Sequence, residues 1–232
     1  METKPTAPYM TVTHRWGFDD EKMVLNKGTY AALIGGLPIS SMPKLFQEAM
    51  TVALHLDVNY IWIDALCILH DKDDQTDWRH EASQMQKVYS YSFCNISALD
   101  ATSCSDTLFS QPRNAKEELL PHIIHLKVVS DPLSSSGIAK PESFTLSVSD
   151  ISIWQKHVST ALVNTRAWVL QERVLAPRIL HFGRRQLFWE CRSSQTCEAS
   201  SSRHLPPKLL DKTVKSMTAG LTRFLYSRPY PQ

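Results

Sequence analysis

Residues 60–68 read Tyr-Ile-Trp-Ile-Asp-Ala-Leu-Cys-Ile, and this apolar run decides the class of fold. Its β-branched and aromatic side chains favour a strand. A run with so little polar alternation is typical of a strand covered on both faces of a parallel sheet. It is too short to span a bilayer, and Asp64 interrupts it. We therefore predict a buried strand of an α/β protein here, followed by a polar loop over residues 70–76.

Helix and strand patterns alternate on both sides of this run. Upstream, residues 9–12 are β-like, and Pro43 opens a segment with apolar residues at helical spacing: Leu45, Phe46, Ala49, Val52, Ala53 and Leu56. Downstream, Asp77 is expected to cap a helix whose apolar stripe consists of Trp78, Ala82, Met85 and Tyr89. Residues 93–98 then form another strand. This alternation predicts an α/β fold with a mainly parallel central sheet flanked by helices.

The second half of the chain adds an insertion and a tail to this core. Residues 111–150 combine four prolines and a Ser-Ser-Ser-Gly run with short β-like pieces such as residues 122–129. Such a mixture indicates an irregular insertion. We predict one domain over residues 9–198, with residues 199–232 as a polar tail or a truncated continuation.

A helix and a hairpin are expected between the insertion and the tail. Residues 164–175 have a helical pattern that Pro177 ends. Residues 179–182 and 186–191 then predict a C-terminal β-hairpin around Gly183.

Composition excludes several classes of partner and compartment. The 25 Lys and Arg against 23 Asp and Glu give a formal net charge of +2, too small to predict nucleic-acid or membrane binding. The five cysteines contain no Cys-x-x-Cys pair, which favours reduced thiols and an intracellular protein. The first residues lack the pattern of a signal or transit peptide. We therefore expect a cytoplasmic protein.

Asp64 and Glu81 are the two candidate catalytic residues. A carboxylate in an apolar strand must be paired or lie at the strand's mouth, where ligands bind in open α/β sheets. That location would place Asp64 and Cys67 on the functional rim, although Asp64 could equally cap or pair with an arginine. Glu81 could act as a general base, bind a ribose hydroxyl, or simply be favoured by the helix dipole.

An arginine-rich stretch near residue 166 is the candidate ligand-binding region. Its arginines, with Gln171 and Glu172, could hold a phosphate or carboxylate through bidentate hydrogen bonds. A solvated or ion-paired face is the alternative. We expect Glu172 to pair with an arginine in a structural role, with catalysis as the alternative. The ligand-binding candidates are Trp16, Arg166, Gln171 and Arg173.

The tryptophans and cysteines are assigned mainly structural roles. Five tryptophans should anchor helices on the sheet, with a stacking platform for a base as the alternative: Trp16, Trp62, Trp78, Trp168 and Trp189. Cys67 and Cys191 have no adjacent histidine, which disfavours a nucleophile. The spacing of Cys191 and Cys197 disfavours zinc, so no metal is expected.

Three blocks, taken in order, resemble the heterokaryon-incompatibility (HET) domain of fungi: residues 11–17, 60–98 and 164–198. The middle block carries Trp62-Ile63-Asp64, Cys67-Ile68, Asp77-Trp78, Glu81, Met85 and Tyr89. The third block carries Arg166-Ala167-Trp168, Gln171-Glu172 and Trp189-Glu190-Cys191. The first block departs most, because Val12-Thr13-His14-Arg15-Trp16-Gly17 stands where the family usually has Leu-Ser-Tyr-x-Trp-Gly.

The resemblance implies a fold, a function and structural motif residues. The fold would be a core similar to TIR domains and flavodoxin. The function would be signalling in fungal non-self recognition and programmed cell death, a form of innate immunity, through a protein partner or self-association. Cofactors are not expected, but NAD could be a substrate, because some TIR domains cleave it. A binding-only relative is the third alternative. The motif residues are Trp62, Cys67, Asp77, Trp78, Tyr89, Trp168, Glu172 and Trp189.

Overall fold

The computed structural model describes residues 6–17, 23–71, 73–109 and 152–198, together with the backbone of residues 122–128 and 142–148. The strands are β1 (Tyr9–Thr13), β2 (Tyr60–Trp62), β3 (Cys94–Ala98), β4 (His122–Val128), β5 (Glu142–Val148), β6 (Arg178–Phe182), β7 (Leu187–Cys191) and β8 (Gln195–Cys197). The α-helices are α1 (Tyr30–Gly35), α2 (Lys44–His55), α3 (Asp64–Cys67), α4 (Thr76–Tyr91) and α5 (Ala167–Leu175). Short helical turns cover Ile39–Ser41, Gln155–Ser159 and Leu162–Thr165.

Six strands form one mixed sheet in the order β2-β1-β3-β6-β7-β8. The first four run parallel, and β7 and β8 continue the sheet antiparallel. This sheet confirms the predicted α/β class and the predicted hairpin between β6 and β7. Strands β4 and β5 pair antiparallel in a separate two-stranded sheet within the predicted insertion. The rest of that insertion and the predicted tail lie outside the described residues.

The apolar run at residues 60–68 is mostly not a strand, so the prediction of a strand buried on both faces was wrong. Strand β2 ends at Trp62, lies at the edge of the sheet and leaves Tyr60 62% exposed. The chain turns into α3 at Asp64, whose carboxylate accepts the Ala65 N–H at 2.8 Å in the first turn of the helix. A short apolar run does not distinguish these alternatives by its periodicity. The buried central strands are β1 and β3.

The two predicted helices around β2 are present, with a correction to each. Helix α2 begins directly after Pro43 and buries most of the predicted apolar face in the core cluster that also includes β1 and β3. The exception is Leu56, which lies just past the end of the helix and is 44% exposed. Helix α4 begins at Thr76 and therefore includes Asp77 in its first turn. Asp77 is not the cap that was predicted: Gln75 occupies that position, and Asp77 Oδ2 accepts the Leu69 N–H at 2.8 Å.

The tryptophans are distributed differently from the prediction. Trp16, Trp62 and Trp189 are partly buried against the core, as expected. Trp78 and Trp168 are not core residues, since they are 37% and 45% exposed. The fully buried tryptophan is Trp154, outside the motif blocks; its ring meets Phe188 edge-to-face at 5.7 Å. Burial of so large a side chain stabilises the packing around β7.

The described residues also show the state of the cysteines and the length of the apolar helices. All five cysteines are free in the structure. Within the described ranges, no helix is both long and apolar enough to cross a membrane.

Candidate functional site

A cleft of about 140 Å³ opens beyond the carboxyl ends of β1 and β2. Segments that follow these strands supply one side of it, and α4 and α5 supply the other. Parallel strands direct the loops at their carboxyl ends toward a common edge, which is where α/β proteins usually bind ligands. The lining residues are Trp16, Asp64, Ile68, His70, Trp78, Met85, Arg166, Trp168 and Glu172.

Asp64 is held at the base of this cleft by neutral donors. The Trp16 indole N–H donates to Asp64 Oδ2 at 2.9 Å, and the Ala65 N–H donates to Oδ1. The Trp16 ring also meets His70 edge-to-face at 4.6 Å. Neutral donors satisfy the carboxylate without a buried ion pair. Asp64 is therefore bonded to Trp16, whereas an arginine was the partner considered from the sequence.

Glu172 is the most perturbed acid in the cleft. It is 3% exposed, and its Oε2 accepts the Thr13 hydroxyl at 2.6 Å. Burial raises the pKa of Glu172 to about 7; the Asp64 charge acts in the same direction, and the bonds to Thr13 and Tyr89 and the nearby Arg166 oppose it. A carboxyl group with this pKa exchanges protons near neutral pH, as a general acid or base must.

A buried chain of hydrogen bonds reaches Glu172 from the middle of the sheet. The Thr11 hydroxyl donates to Asn95 Oδ1 at 3.0 Å, and Asn95 Nδ2 donates to Thr13 Oγ1 at 2.9 Å. Thr13 in turn donates to Glu172. Because every donor points toward the carboxylate, the chain fixes its position and favours its ionised form.

His14 lies behind Asp64 and stays neutral. Its side chain is fully buried, and its Nδ1 lies 3.9 Å from Asp64 Oδ1 without a hydrogen-bond partner among the described residues. Burial lowers the pKa of His14, with Arg166 acting in the same direction and Asp64 opposing it. Because the histidine is uncharged, it does not neutralise the Asp64 carboxylate, and the negative charge of Asp64 acts within the cleft.

Trp78 and Trp168 form an aromatic wall on the solvent side of the cleft. Trp78 comes from α4 and Trp168 from α5. Their ring centres are 6.4 Å apart and their planes nearly perpendicular, at 88°. The edge-to-face arrangement is favourable for aromatic rings, and here it joins two tryptophans that lie outside the core.

The structure brings some predicted site residues into the cleft and leaves others outside it. Asp64, Trp16 and Arg166 lie in the cleft, where Arg166 donates to the His14 carbonyl. Gln171 is partly exposed and is not among the lining residues. Glu81 is 32% exposed and 3.9 Å from His80, and it also does not line the cleft.

Arg173 faces the opposite side of α5, away from the cleft. Its Nε donates to Glu190 Oε2 at 2.9 Å, in a buried network that includes His181 and Gln195. The structure thus differs from the expected pairing of Glu172 with an arginine. Helix α5 does carry such an ion pair, but it joins Arg173 to Glu190.

The cysteines provide no nucleophile in the cleft. Desolvation raises the pKa of the Cys67 thiol, although the residue as a whole is exposed. Burial acts in the same direction on Cys191, but hydrogen bonds with Ser193 and Ser194 outweigh it and bring the pKa of that thiol to about 7. Cys191 does not line the cleft. Among the described residues, no group of three or more histidine, cysteine or carboxylate side chains is placed to hold a metal ion.

A comparison with known families identifies the family of the chain. The model of the family described as "Heterokaryon incompatibility protein (HET)" matches residues 9–172. The chain belongs to the HET family. The matched HET segment begins at β1 and ends at Glu172, so it contains every residue that lines the cleft. No curated protein and no solved structure matches the chain.

Sequence reasoning did not predict that Glu172 lies in the HET cleft or that it bonds to Thr13. Glu172 was assigned a structural role from its arginine-rich surroundings. One signal was available: Trp168 and Glu172 are four residues apart on a helix and therefore share a face. No comparable signal exists for Asn95, because its contact to Thr13 joins residues 82 positions apart.

Proposed function

We propose that this HET-family protein is a cytoplasmic signalling module of fungal non-self recognition, which triggers programmed cell death when a partner or self-association activates it. The observation that carries the proposal is the family match over residues 9–172, which contains the whole cleft. A surface cleft within the family segment is a suitable target for regulation, because partners or ligands reach it directly.

The test is controlled self-association in living fungal cells. The full chain would be fused to a domain that dimerises on addition of a small molecule, and cell viability would be measured with and without that molecule. Death only after dimerisation is expected. Full viability of cells that accumulate the folded, dimerised chain would contradict the proposal.

A second candidate, a hydrolase that cleaves NAD, is favoured by one observation: Glu172, with a pKa of about 7, lines the same cleft as Asp64. In this reaction a water oxygen bonds to C1′ of the ribose while the bond from C1′ to nitrogen breaks. The bond's electron pair returns to the pyridinium ring, which leaves as nicotinamide. Ionised Glu172 would take the proton of the water, and Asp64 would stabilise positive charge on the sugar.

Release of nicotinamide from NAD tests this second candidate. Purified, concentrated protein would be compared with Glu172→Gln and with Glu81→Ala, each shown to be folded by circular dichroism. Because Glu81 does not line the cleft, its variant should retain release, while Glu172→Gln should lose at least about a hundredfold. Absence of release from the unmodified protein at every concentration would leave only the signalling role.

A further inference from the structure

We infer that the cleft binds a planar aromatic cation, a positively charged nitrogen heterocycle, between the aromatic wall of Trp78 and Trp168 and the carboxylates of Asp64 and Glu172. This inference shares the cleft with the second candidate function, the cleavage of NAD. It does not require that cleavage, since a ligand can bind without being turned over. It starts from two exposed tryptophans, 37% and 45% accessible, which line a cleft instead of the core.

The aromatic wall supplies the attraction for a flat cation. Indole rings carry negative potential on their faces, and tryptophan is the best aromatic partner for a cation. Trp78 and Trp168 come from different helices and are held edge-to-face with centres 6.4 Å apart. Trp16 adds a third indole, fixed by its hydrogen bond to Asp64.

The charges of the cleft favour a cation over an anion. Asp64 and Glu172 contribute two carboxylates, and Arg166 contributes one positive charge. The remaining ionisable residue that lines the cleft is His70, whose Nε2 bonds to the Asp64 carbonyl. Arg166 is also engaged, because its guanidinium donates to the His14 carbonyl. His14 is neutral behind Asp64, and the Tyr89 hydroxyl, whose pKa is well above its usual value mainly through burial, is neutral beside Glu172. With Glu172 ionised and His70 neutral, the cleft therefore has net negative charge.

The volume of the cleft matches one ring of a ligand. At about 140 Å³ it is well below that of a pocket enclosing a whole drug-sized ligand, roughly 300 Å³ or more. A single heterocycle fits within it, and because the cleft is open, the rest of a larger molecule would extend into solvent. The recognised group is thus a single-ring aromatic cation.

Calorimetric titration with matched small molecules tests the inference. 1-Methylnicotinamide and nicotinamide share one ring and differ in charge, while tetramethylammonium is a cation without a ring. We expect 1-methylnicotinamide to bind at least tenfold more tightly than either of the other two. Because Glu172 gains its charge between pH 6 and 8, this affinity should rise severalfold over that range.

Variants distinguish the cleft from the rest of the surface. Trp78→Leu and Trp168→Leu should each weaken 1-methylnicotinamide binding about tenfold, and Trp78→Phe should retain part of the affinity. Trp189→Phe, which changes a tryptophan outside the cleft, should bind normally. The two rim tryptophans are exposed, so at least one variant should keep its circular dichroism spectrum.

Three results would overturn the inference: equal affinity for 1-methylnicotinamide and nicotinamide, equal affinity for tetramethylammonium, or normal binding by both folded leucine variants. Its failure is separable from that of the second candidate function. Binding of 1-methylnicotinamide without NAD cleavage would support this inference and exclude the hydrolase. NAD cleavage that 1-methylnicotinamide does not inhibit would do the reverse.

Discussion

The Thr13 hydroxyl donates a 2.6 Å hydrogen bond to Glu172 across 159 positions of the chain. Thr13 is the last residue of β1, and Glu172 lies within α5. The bond therefore fixes the helix that carries one side of the cleft to the strand beneath it. The oxygen of the Thr13 hydroxyl accepts a hydrogen bond from Asn95 Nδ2, and its hydrogen is donated to Glu172.

Replacing Thr13 with valine should remove this donor without a large change in shape. The bond lowers the pKa of Glu172, so that pKa should rise further. The free energy of unfolding should fall by about 1–3 kcal/mol at pH 8, where Glu172 is ionised, and by less at pH 5.5. Urea unfolding at both values measures this, with Thr13→Ser as the control that keeps the hydroxyl. An equal loss at both pH values would contradict it.

Glu172→Gln should change the pH dependence of stability. The folded-state pKa of about 7 lies above the ordinary 4.5, so the folded protein holds this proton more tightly than the unfolded chain. Stability therefore falls as pH rises from about 4.5 to 7, by about 3 kcal/mol for this group.

The glutamine variant should lack that decline. Thermal unfolding between pH 4.5 and 8.5 would show it, with Glu81→Gln as a control that retains the decline. Parallel curves for the unmodified protein and Glu172→Gln would show that Glu172 titrates normally.

Arg173→Met should destabilise the protein by about 3 kcal/mol, because it removes the arginine of a buried ion pair. The double variant Arg173→Met, Glu190→Gln should recover most of this loss, since it also removes the buried carboxylate charge of that pair. Denaturant unfolding of both variants measures the difference. Arg166→Met, which removes a cleft arginine that donates to a carbonyl, is the milder comparison. A double variant less stable than the single one would refute the argument.

Asp57→Gly should stabilise the protein by about 0.5–1 kcal/mol. Asp57 follows the cap of α2 and has φ of 56°, a left-handed conformation that glycine adopts without steric cost. Asp57→Ala should be less stable than the unmodified protein, because alanine keeps the Cβ but adopts the left-handed conformation less readily than aspartate. The midpoints of thermal unfolding of the two variants should therefore shift in opposite directions.

Local patterns predicted much of the fold. The apolar spacing after Pro43 predicted α2, and Gly183 between two β-like runs predicted the β6–β7 hairpin. Both signals lie within a few residues of the elements that they specify. The alternation of helix and strand then predicted the parallel sheet, because parallel strands need crossover connections.

The errors arose where tertiary contacts decided the outcome. The run at residues 60–68 contains enough apolar side chains for a buried strand, but Asp64 starts a helical turn there and β2 remains an edge strand. Trp154 is buried outside every motif block. Glu172 is held in the cleft by Thr13, and no local sequence pattern predicts a contact between residues so far apart in the chain.

The two margins of the main sheet have a consequence for assembly. In the described part of the chain, the sheet ends in strands of only three residues on both sides, β2 (Tyr60–Trp62) and β8 (Gln195–Cys197). Such short margins offer few backbone groups to an incoming strand, which is how natural proteins avoid templated fibre growth. A second copy of the chain that approached either margin of this sheet would therefore meet mainly side chains there, and few unpaired backbone groups.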